Sequence, residues 1–325
     1  MVCVAALLAG ASAMGVELTF WSWRVEDKAF YEKIAEDYKK ASGEEVRFTA
    51  YKNTEYATVL SAALAGGGGP DIIQARSYGG LANLSDAGYL LPLTTKTVPN
   101  LAHFSESLLT SVHGYKPPYN EGVYAVPFAI QSPGILYNRK LLASNGFPNL
   151  PKTWEEFKSM SRALKAKGVT PLANGTRAAW TLEHVFGVVG PNFYGGTDFY
   201  NGVVAGRKRF TDPEFVAAVQ EVASLRDFMP PNALGIGEPE SRMLFASGKA
   251  AFFIGGSWNI DPILEMNPKL ELEMAGAPPV VAGGPSLVPT YVDGGYAINA
   301  GTKKREAALK FLNYFILLIE TGMRV

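Results

Sequence analysis

Residues 17–21, ELTFW, alternate apolar and polar side chains, and that period of two predicts a strand. Over residues 27–41 the pattern changes: Phe30, Ile34 and Tyr38 recur every four residues, the stripe of a helix, and Ser42-Gly43 ends it. Residues 46–51 read as a second strand. Residues 55–65, with Val59, Leu60, Ala63 and Leu64, read as a second helix. After a glycine run at 66–69 and Pro70, residues 71–75 form a third apolar strand. The order β-α-β-α-β predicts a parallel sheet covered on both faces. Such sheets bind ligands beyond the carboxyl ends of their strands. The residues there are Ser22, Trp23 and Arg24 after the first strand, and Arg76, Ser77 and Tyr78 after the third. A short helix and turn, LANLSDAGYLLPL, follows at 81–93.

The stretch 122–142, GVYAVPFAIQSPGILYNRKLL, holds two strand-length apolar runs, 123–130 and 134–137, separated by Gln131-Ser132-Pro133-Gly134. Proline cannot donate to a ladder and Pro-Gly breaks direction, so the chain is expected to leave one sheet here and enter another. Gln131, polar at that crossing, is expected to face a groove. Beyond it, residues 151–156 spell a capping box, with Thr153 capping the third amide and Glu156 reaching back. Phe157, Met160, Ala163 and Leu164 give that helix its stripe, and Gly168 stops it. Thr211-Asp212-Pro213-Glu214 opens another helix, 241–248 is a short one, and 250–254 and 270–277 read as strands. Pro278, Pro279, Gly283, Gly284 and Pro285 make a second soft stretch, the expected return crossing. A final helix spans 302–319; its late part, 315–319, is apolar on every side and calls for cover on more than one face.

Composition narrows the class. A chain of 325 residues suits two domains, and 47% hydrophobic with 18% charged residues suits a packed core. Thirty basic and 30 acidic residues give a formal net charge of +0, without the electrostatic footprint of a nucleic-acid binder. No apolar run approaches the roughly 20 residues needed to span a bilayer. Cys3 is the only cysteine, which excludes an internal disulfide and a thiolate metal cluster, and it lacks the context of a lipid-attachment site. Residues 2–13 form a short apolar run ending in Ala11-Ser12-Ala13, the mark of a cleaved export signal, although a basic start is missing; the mature chain is expected to begin near Met14.

Catalytic signatures are scarce. There is no H-E-x-x-H, no G-x-S-x-G and no P-loop. The glycines at 66–69 lack G-x-G-x-x-G spacing and precede a strand, so they are expected to end a helix. His103, His113 and His184 are scattered and suggest no metal site, and Glu155-Glu156 belongs to the capped helix. The informative residues are aromatic, because indole faces stack on the apolar faces of sugar rings while nearby polar groups satisfy the hydroxyls. Trp154 reads as core, in the first turn of its helix, and Trp21 also as core. Trp23 and Trp258, at strand ends, are expected to face a groove; Trp180, after Asn174-Gly175-Thr176-Arg177, stands open between the two readings.

The segments LTFWSW, LAGGGGPDII, LSDAGYLLPL, GVYAVPFAIQSPGILYNRKLL, LPKTWEEF, GKAAFFIGGSW and DGGYAINAGTKKREAALKFLNYF are spread along nearly the whole chain, from residue 18 to residue 315. In that order they resemble the sugar-binding proteins of ABC importers, the maltose-binding-like family of solute-binding proteins. KGVTPLANGTRAAWTLEH is more similar to the oligosaccharide branch of raffinose and multiple-sugar type than to the maltodextrin branch. The resemblance implies an α/β fold of two lobes (type II, periplasmic-binding-protein-like) joined by hinge crossings and closing on a sugar. It places ligand-binding positions at Trp23, Arg24, Arg76, Ser77, Tyr78, Gln131, Trp180, Trp258 and Asp293. It adds Gly294 and Gly295, where backbone would approach the ligand. The family often has a carboxylate where this chain has Gln131, and an amide can donate as well as accept. Family members continue well past the last helix, whereas this chain ends in GMRV, so a truncated product is expected.

The expected division is an export signal at 1–13, one lobe from 14–130 and 279–325, and a second from 131–278 whose final helices would be missing. The expected protein is periplasmic or extracellular and monomeric. It has no cofactor, metal or catalytic residue, and its partners are an oligosaccharide and membrane permease subunits. Two other classes stay open. A secreted glycoside-modifying enzyme would need paired carboxylates at a groove, and a sugar sensor for a receptor would use the same pocket.

Overall fold

In the first sheet, successive residues of one strand serve two different cores. This computed structural model describes residues 16–320; the export signal expected at 2–13 lies outside them. Leu18 and Phe20 of the first strand (Glu17–Ser22) pack with Tyr31, Ile34 and Tyr38 of the helix Lys28–Ser42 and with Phe311 and Phe315 of the helix Arg305–Glu320. Trp21 and Trp23 turn to the opposite face, toward Tyr56, Leu60 and Leu64 of the helix Asn53–Ala65. The same parity runs through the third strand (Ile72–Arg76), where Ile72 joins the first cluster and Ile73 and Ala75 the second. Alternation on both faces is what a doubly covered sheet requires.

The first and third strands and the second (Glu45–Ala50) run parallel, with Phe20 opposite both Phe48 and Ile72. The strand Gly294–Ile298 then adds antiparallel to Ile72–Arg76, and Val126–Pro127 pairs with it at the edge. The late apolar stretch of the final helix proves one-sided up to Ile316. Ala308, Phe311, Leu312, Phe315 and Ile316 are buried at helical spacing, and Leu317 is 51% exposed. The first helix buries Tyr31 rather than Phe30 beside Ile34 and Tyr38.

The described residues divide into two compact units, one of residues 16–129 and 292–320, the other of 130–291. The short strands Ile130–Gln131 and Tyr291–Val292 pair with each other where the chain crosses. The return crossing therefore falls at Tyr291-Val292, and the Pro-Gly stretch at 278–285 belongs to the second unit. There Pro279 O accepts from Trp154 N at 2.9 Å and Ala277 O from Ser286 Oγ at 2.8 Å. Proline and glycine end a ladder, but a stretch so anchored remains part of its domain.

The second unit has a four-stranded sheet ordered Thr170–Leu172, Ala250–Gly256, Pro133–Asn138, Leu272–Ala275. Ile135, Tyr137, Phe252 and Ile254 face Trp154, Phe157 and Leu164 of the helix Trp154–Ala166. Leu136 and Phe253 face Phe245 and Ile263 on the other side. Thr153 Oγ1 accepts from Glu156 N at 3.2 Å, as a cap should. The Glu156 carboxylate takes the amide of Lys152 (2.7 Å) instead of that of Thr153, so the box is shifted by one residue. Among the described residues no helix is long and apolar enough to cross a membrane.

Candidate functional site

In the first unit, strand ends gather the expected residues. Gly294 lies opposite Arg76 in the antiparallel register, which brings Asp293 beside the end of the third strand. The buried Asp293 carboxylate accepts from Arg76 Nη1 at 2.8 Å, and its other oxygen is 3.7 Å from Arg24 Nη1. Arg76 also donates to Asn53 Oδ1 at 2.5 Å, and its guanidinium carbon sits 3.8 Å from the centroid of Trp23, a cation–π contact. Burial alone would lower the Arg24 pKa; the hydrogen bond to Asp27 and the charges of Asp27 and Glu26 more than offset this, and it is raised. The result is a fixed anion held by two fixed cations.

A buried polar chain supports this set from below. Arg24 N donates to Ser22 Oγ (2.9 Å), Ser22 Oγ donates to Gln74 Oε1, Gln74 Nε2 donates to the Tyr31 hydroxyl (3.1 Å), and that hydroxyl is 3.0 Å from the Tyr296 hydroxyl. Burial pushes Tyr31 up to about 12, with the bond to Tyr296 opposing it.

Two expectations change here. Trp23 is 4% exposed, covered by Arg76, Tyr56 and Phe128, whereas Trp21, expected in the core, is half-buried and tilted against Tyr51 at 4.9 Å. Both lie on one face of the sheet because they are two residues apart; distant residues decide which is covered. Gly294 has a packing reason of its own: a Cβ there would sit 2.5 Å from Ala75 O and 2.8 Å from the Trp23 ring. At Gly295 it would sit 2.6 Å from Ala125 Cβ. Tyr78 is exposed, with φ of +56°, a region that costs a non-glycine residue about 1–3 kcal/mol. Its amide donates to Ser111 O (2.7 Å) and its hydroxyl accepts from Val292 N (3.3 Å). Ser77 is buried, and its Oγ has no hydrogen-bond partner among the described residues.

In the second unit, Trp180 and His184 stand four residues apart on the helix Ala179–Val189, hence on one face. Trp258 follows the strand Ala250–Gly256 in the turn Ser257–Asn259. His184 meets both indoles edge-on, with centroids 5.3 Å from Trp180 and 5.1 Å from Trp258. Its Nδ1 is 2.8 Å from Trp180 O, its Nε2 is 2.8 Å from the Tyr291 hydroxyl, and that hydroxyl is 3.2 Å from Gln131 Oε1. Trp180, Trp258 and Gln131 are half-buried. The two indoles and His184 line one small concavity with Phe253 and Ile254 and with Asn174, Ser241 and Asn259, all three buried. Asn174 continues the ladder of Ile254 with its amide, donating at 2.7 Å and accepting at 2.8 Å. Asn259 Oδ1 accepts from Gly256 N (3.0 Å) and fixes the turn that carries Trp258.

The family model described as bacterial extracellular solute-binding protein matches residues 21–317. The chain belongs to that family. This solute-binding protein is 26% identical to the multiple sugar-binding protein of Streptococcus mutans, over 92% of this chain and 70% of that protein. It is 25% identical to the diacetylchitobiose binding protein DasA of Streptomyces coelicolor, over 86% of this chain and 64% of that one. Among solved structures, a chitin oligosaccharide binding protein is similar at a TM-score of 0.80 and 26% identity, covering 95% of this chain and 79% of its own. SBP RafE in complex with raffinose is similar in fold, with a TM-score of 0.78 and 24% identity over 92% of this chain and 77% of its own. The two-lobed α/β fold expected from the sequence is the fold of these solute-binding proteins.

His184, Tyr291, Asn174 and Asn259 stand beside the expected residues of the second unit without having been singled out by residue type. The spacing of Trp180 and His184 was a usable signal, because i and i+4 share a helix face. Tyr291, Asn174 and Asn259 offered none.

Proposed function

We propose that this solute-binding protein captures an oligosaccharide outside the cytoplasm, as an exported monomer, and delivers it unchanged to the permease of an ABC importer. The observation that carries the reading is the concavity of the second unit. Trp180 and Trp258 stand there as half-buried indoles, the apolar faces on which a sugar ring stacks, held by buried amides and a hydroxyl behind them. The names of the relatives, which bind multiple sugars and diacetylchitobiose, support the same class of ligand. From the first unit, Arg24, Arg76, Tyr78 and Asp293 are the proposed polar contacts, with Gln131 at the crossing; Trp23 acts beneath Arg76 rather than as a stacking face.

The test is a thermal-shift panel of mono- to tetrasaccharides, read with tryptophan fluorescence and product analysis. A ligand stabilises by RT ln(1 + [L]/Kd), so at a hundredfold excess over Kd the gain is about 2.7 kcal/mol. Trp258→Ala is expected to abolish the shift with little change in the ligand-free midpoint, and the sugar is expected back intact. No stabilisation by any glycan, or release of monosaccharide, overturns the proposal.

A further inference from the structure

His184 sits in a hydrogen-bond chain whose protons can be counted. The Trp180 carbonyl can only accept, so the 2.8 Å contact at Nδ1 requires a proton on that nitrogen. The other nitrogen, Nε2, meets the Tyr291 hydroxyl at 2.8 Å, and that hydroxyl, with one proton of its own, meets the Gln131 amide at 3.2 Å. Two arrangements satisfy the donor count, and they differ by a half-turn of the Gln131 amide. With His184 neutral, the hydroxyl donates to Nε2 and the amide turns its amino group to the hydroxyl in place of Oε1, leaving the Gln131 carbonyl uncommitted. With His184 charged, Nε2 donates to the hydroxyl, the hydroxyl donates to Gln131 Oε1, and the amino group is left uncommitted.

We infer that His184 sets the ligand preference of Gln131: its protonation state, passed through Tyr291, decides whether the amide offers a donor or an acceptor. The inference rests on the proposed role of Gln131 in ligand binding. The neighbours of His184 limit what else could drive the change. From its own helix come Trp180 and the exposed Glu183, from the turn Ser257–Asn259 comes Trp258, and from the crossing strand comes Tyr291. The charged group lining the same concavity is Glu238, paired to Arg242 at 3.3 Å and bonded by the Asn259 amide. Tyr291 is the relay because it touches both His184 and Gln131.

The experiment separates the relay from the sugar. In ligand-free, full-chain protein, the side-chain 15N and 1H resonances of Gln131 are followed by NMR from pH 5 to 8 beside the ring protons of His184. The expected result is one shared midpoint. Tyr291→Phe should leave His184 titrating and make the Gln131 signals flat; His184→Gln should flatten them as well and serves if the tyrosine variant does not fold. Independent midpoints, or an unchanged Gln131 titration in Tyr291→Phe, overturn the inference. The second arm measures Kd across the same range for a bound saccharide and its deoxyfluoro analogues, in which a hydroxyl donor is lost. The analogue that lost the donor facing Gln131 should weaken by about three- to tenfold on the neutral-histidine side only, the worth of one hydrogen bond. A pH-independent penalty across every analogue overturns the ligand-preference inference. A protein that shows the shared NMR midpoint and binds no sugar defeats the proposed function and spares the relay.

Discussion

The guanidinium of Arg76 sits over Trp23 with its central carbon 3.8 Å from the indole centroid, while its Nη1 holds Asp293 at 2.8 Å. One side chain thus covers an aromatic face and neutralises a buried carboxylate. Arg76→Met keeps the stem and removes both interactions. Because the Arg76 side chain is 40% exposed and Arg24 remains near Asp293, the expected loss is about 1–2 kcal/mol by urea denaturation. Arg76→Lys should recover less than half, since an ammonium neither stacks nor forks. Equal midpoints for all three proteins would show that the contact contributes nothing.

Gly294→Ala tests why glycine stands there. A Cβ would press on Ala75 O, Trp23 and Phe128 at 2.5–2.9 Å, two of them parts of a packed core. The expected cost is about 1–3 kcal/mol of stability in the ligand-free protein, seen as a lower melting midpoint. Were the glycine needed only for approach to a ligand, the ligand-free midpoint would not move.

Tyr78 holds a φ of +56° through the Ser111 carbonyl on one side and the Val292 amide at its hydroxyl. Tyr78→Gly relieves the backbone and deletes the ring, so stability should change by less than about 1 kcal/mol, while sugar affinity should fall tenfold or more. Tyr78→Phe keeps the strain and loses the bond to Val292. A glycine variant that binds normally in a calorimetric titration would remove Tyr78 from the site.

Asp71 ties the first strand to the turn that leads into the last helix. It accepts from Thr19 N (2.8 Å) and Thr19 Oγ1 (2.9 Å), from Thr302 Oγ1 (2.6 Å) and from Lys304 Nζ (3.2 Å). Burial alone would raise its pKa, but these donors outweigh it and hold the carboxyl below the usual carboxylate range. A depressed folded pKa gives stability that is fully present above the unfolded value of about 3.9 and is lost as the pH falls through the folded value. Asp71→Asn should therefore cost about 2 kcal/mol at pH 7, with the gap to the native protein closing below about pH 4. A gap that is constant between pH 7 and pH 3 would contradict this assignment.

Much of the first unit was legible because its elements repeat a local rule. Leu18 and Phe20 against Trp21 and Trp23, or Ile72 against Ile73, are sorted to opposite cores by parity alone. The unit boundary at Tyr291-Val292 was not legible, since those two residues carry no turn signal while the prolines nearby do. His184 was passed over for a related reason: a lone histidine has meaning only beside the hydroxyl of a residue 107 positions later.

By itself the sequence determined the alternating strands and helices of residues 17–76, the side chains that share a face of those strands, and the residues that gather at the strand ends, because periodicity and capping act over a few neighbouring positions. Only the tertiary structure decided that Trp23 is roofed by Arg76 while Trp21 stays half open, that Gly294 is forced by Trp23 and Phe128, and that His184 joins Tyr291 to the indoles. Each of these depends on a contact between elements far apart in the chain. Packing and proton-matched hydrogen bonds choose such contacts after the local pattern has been satisfied.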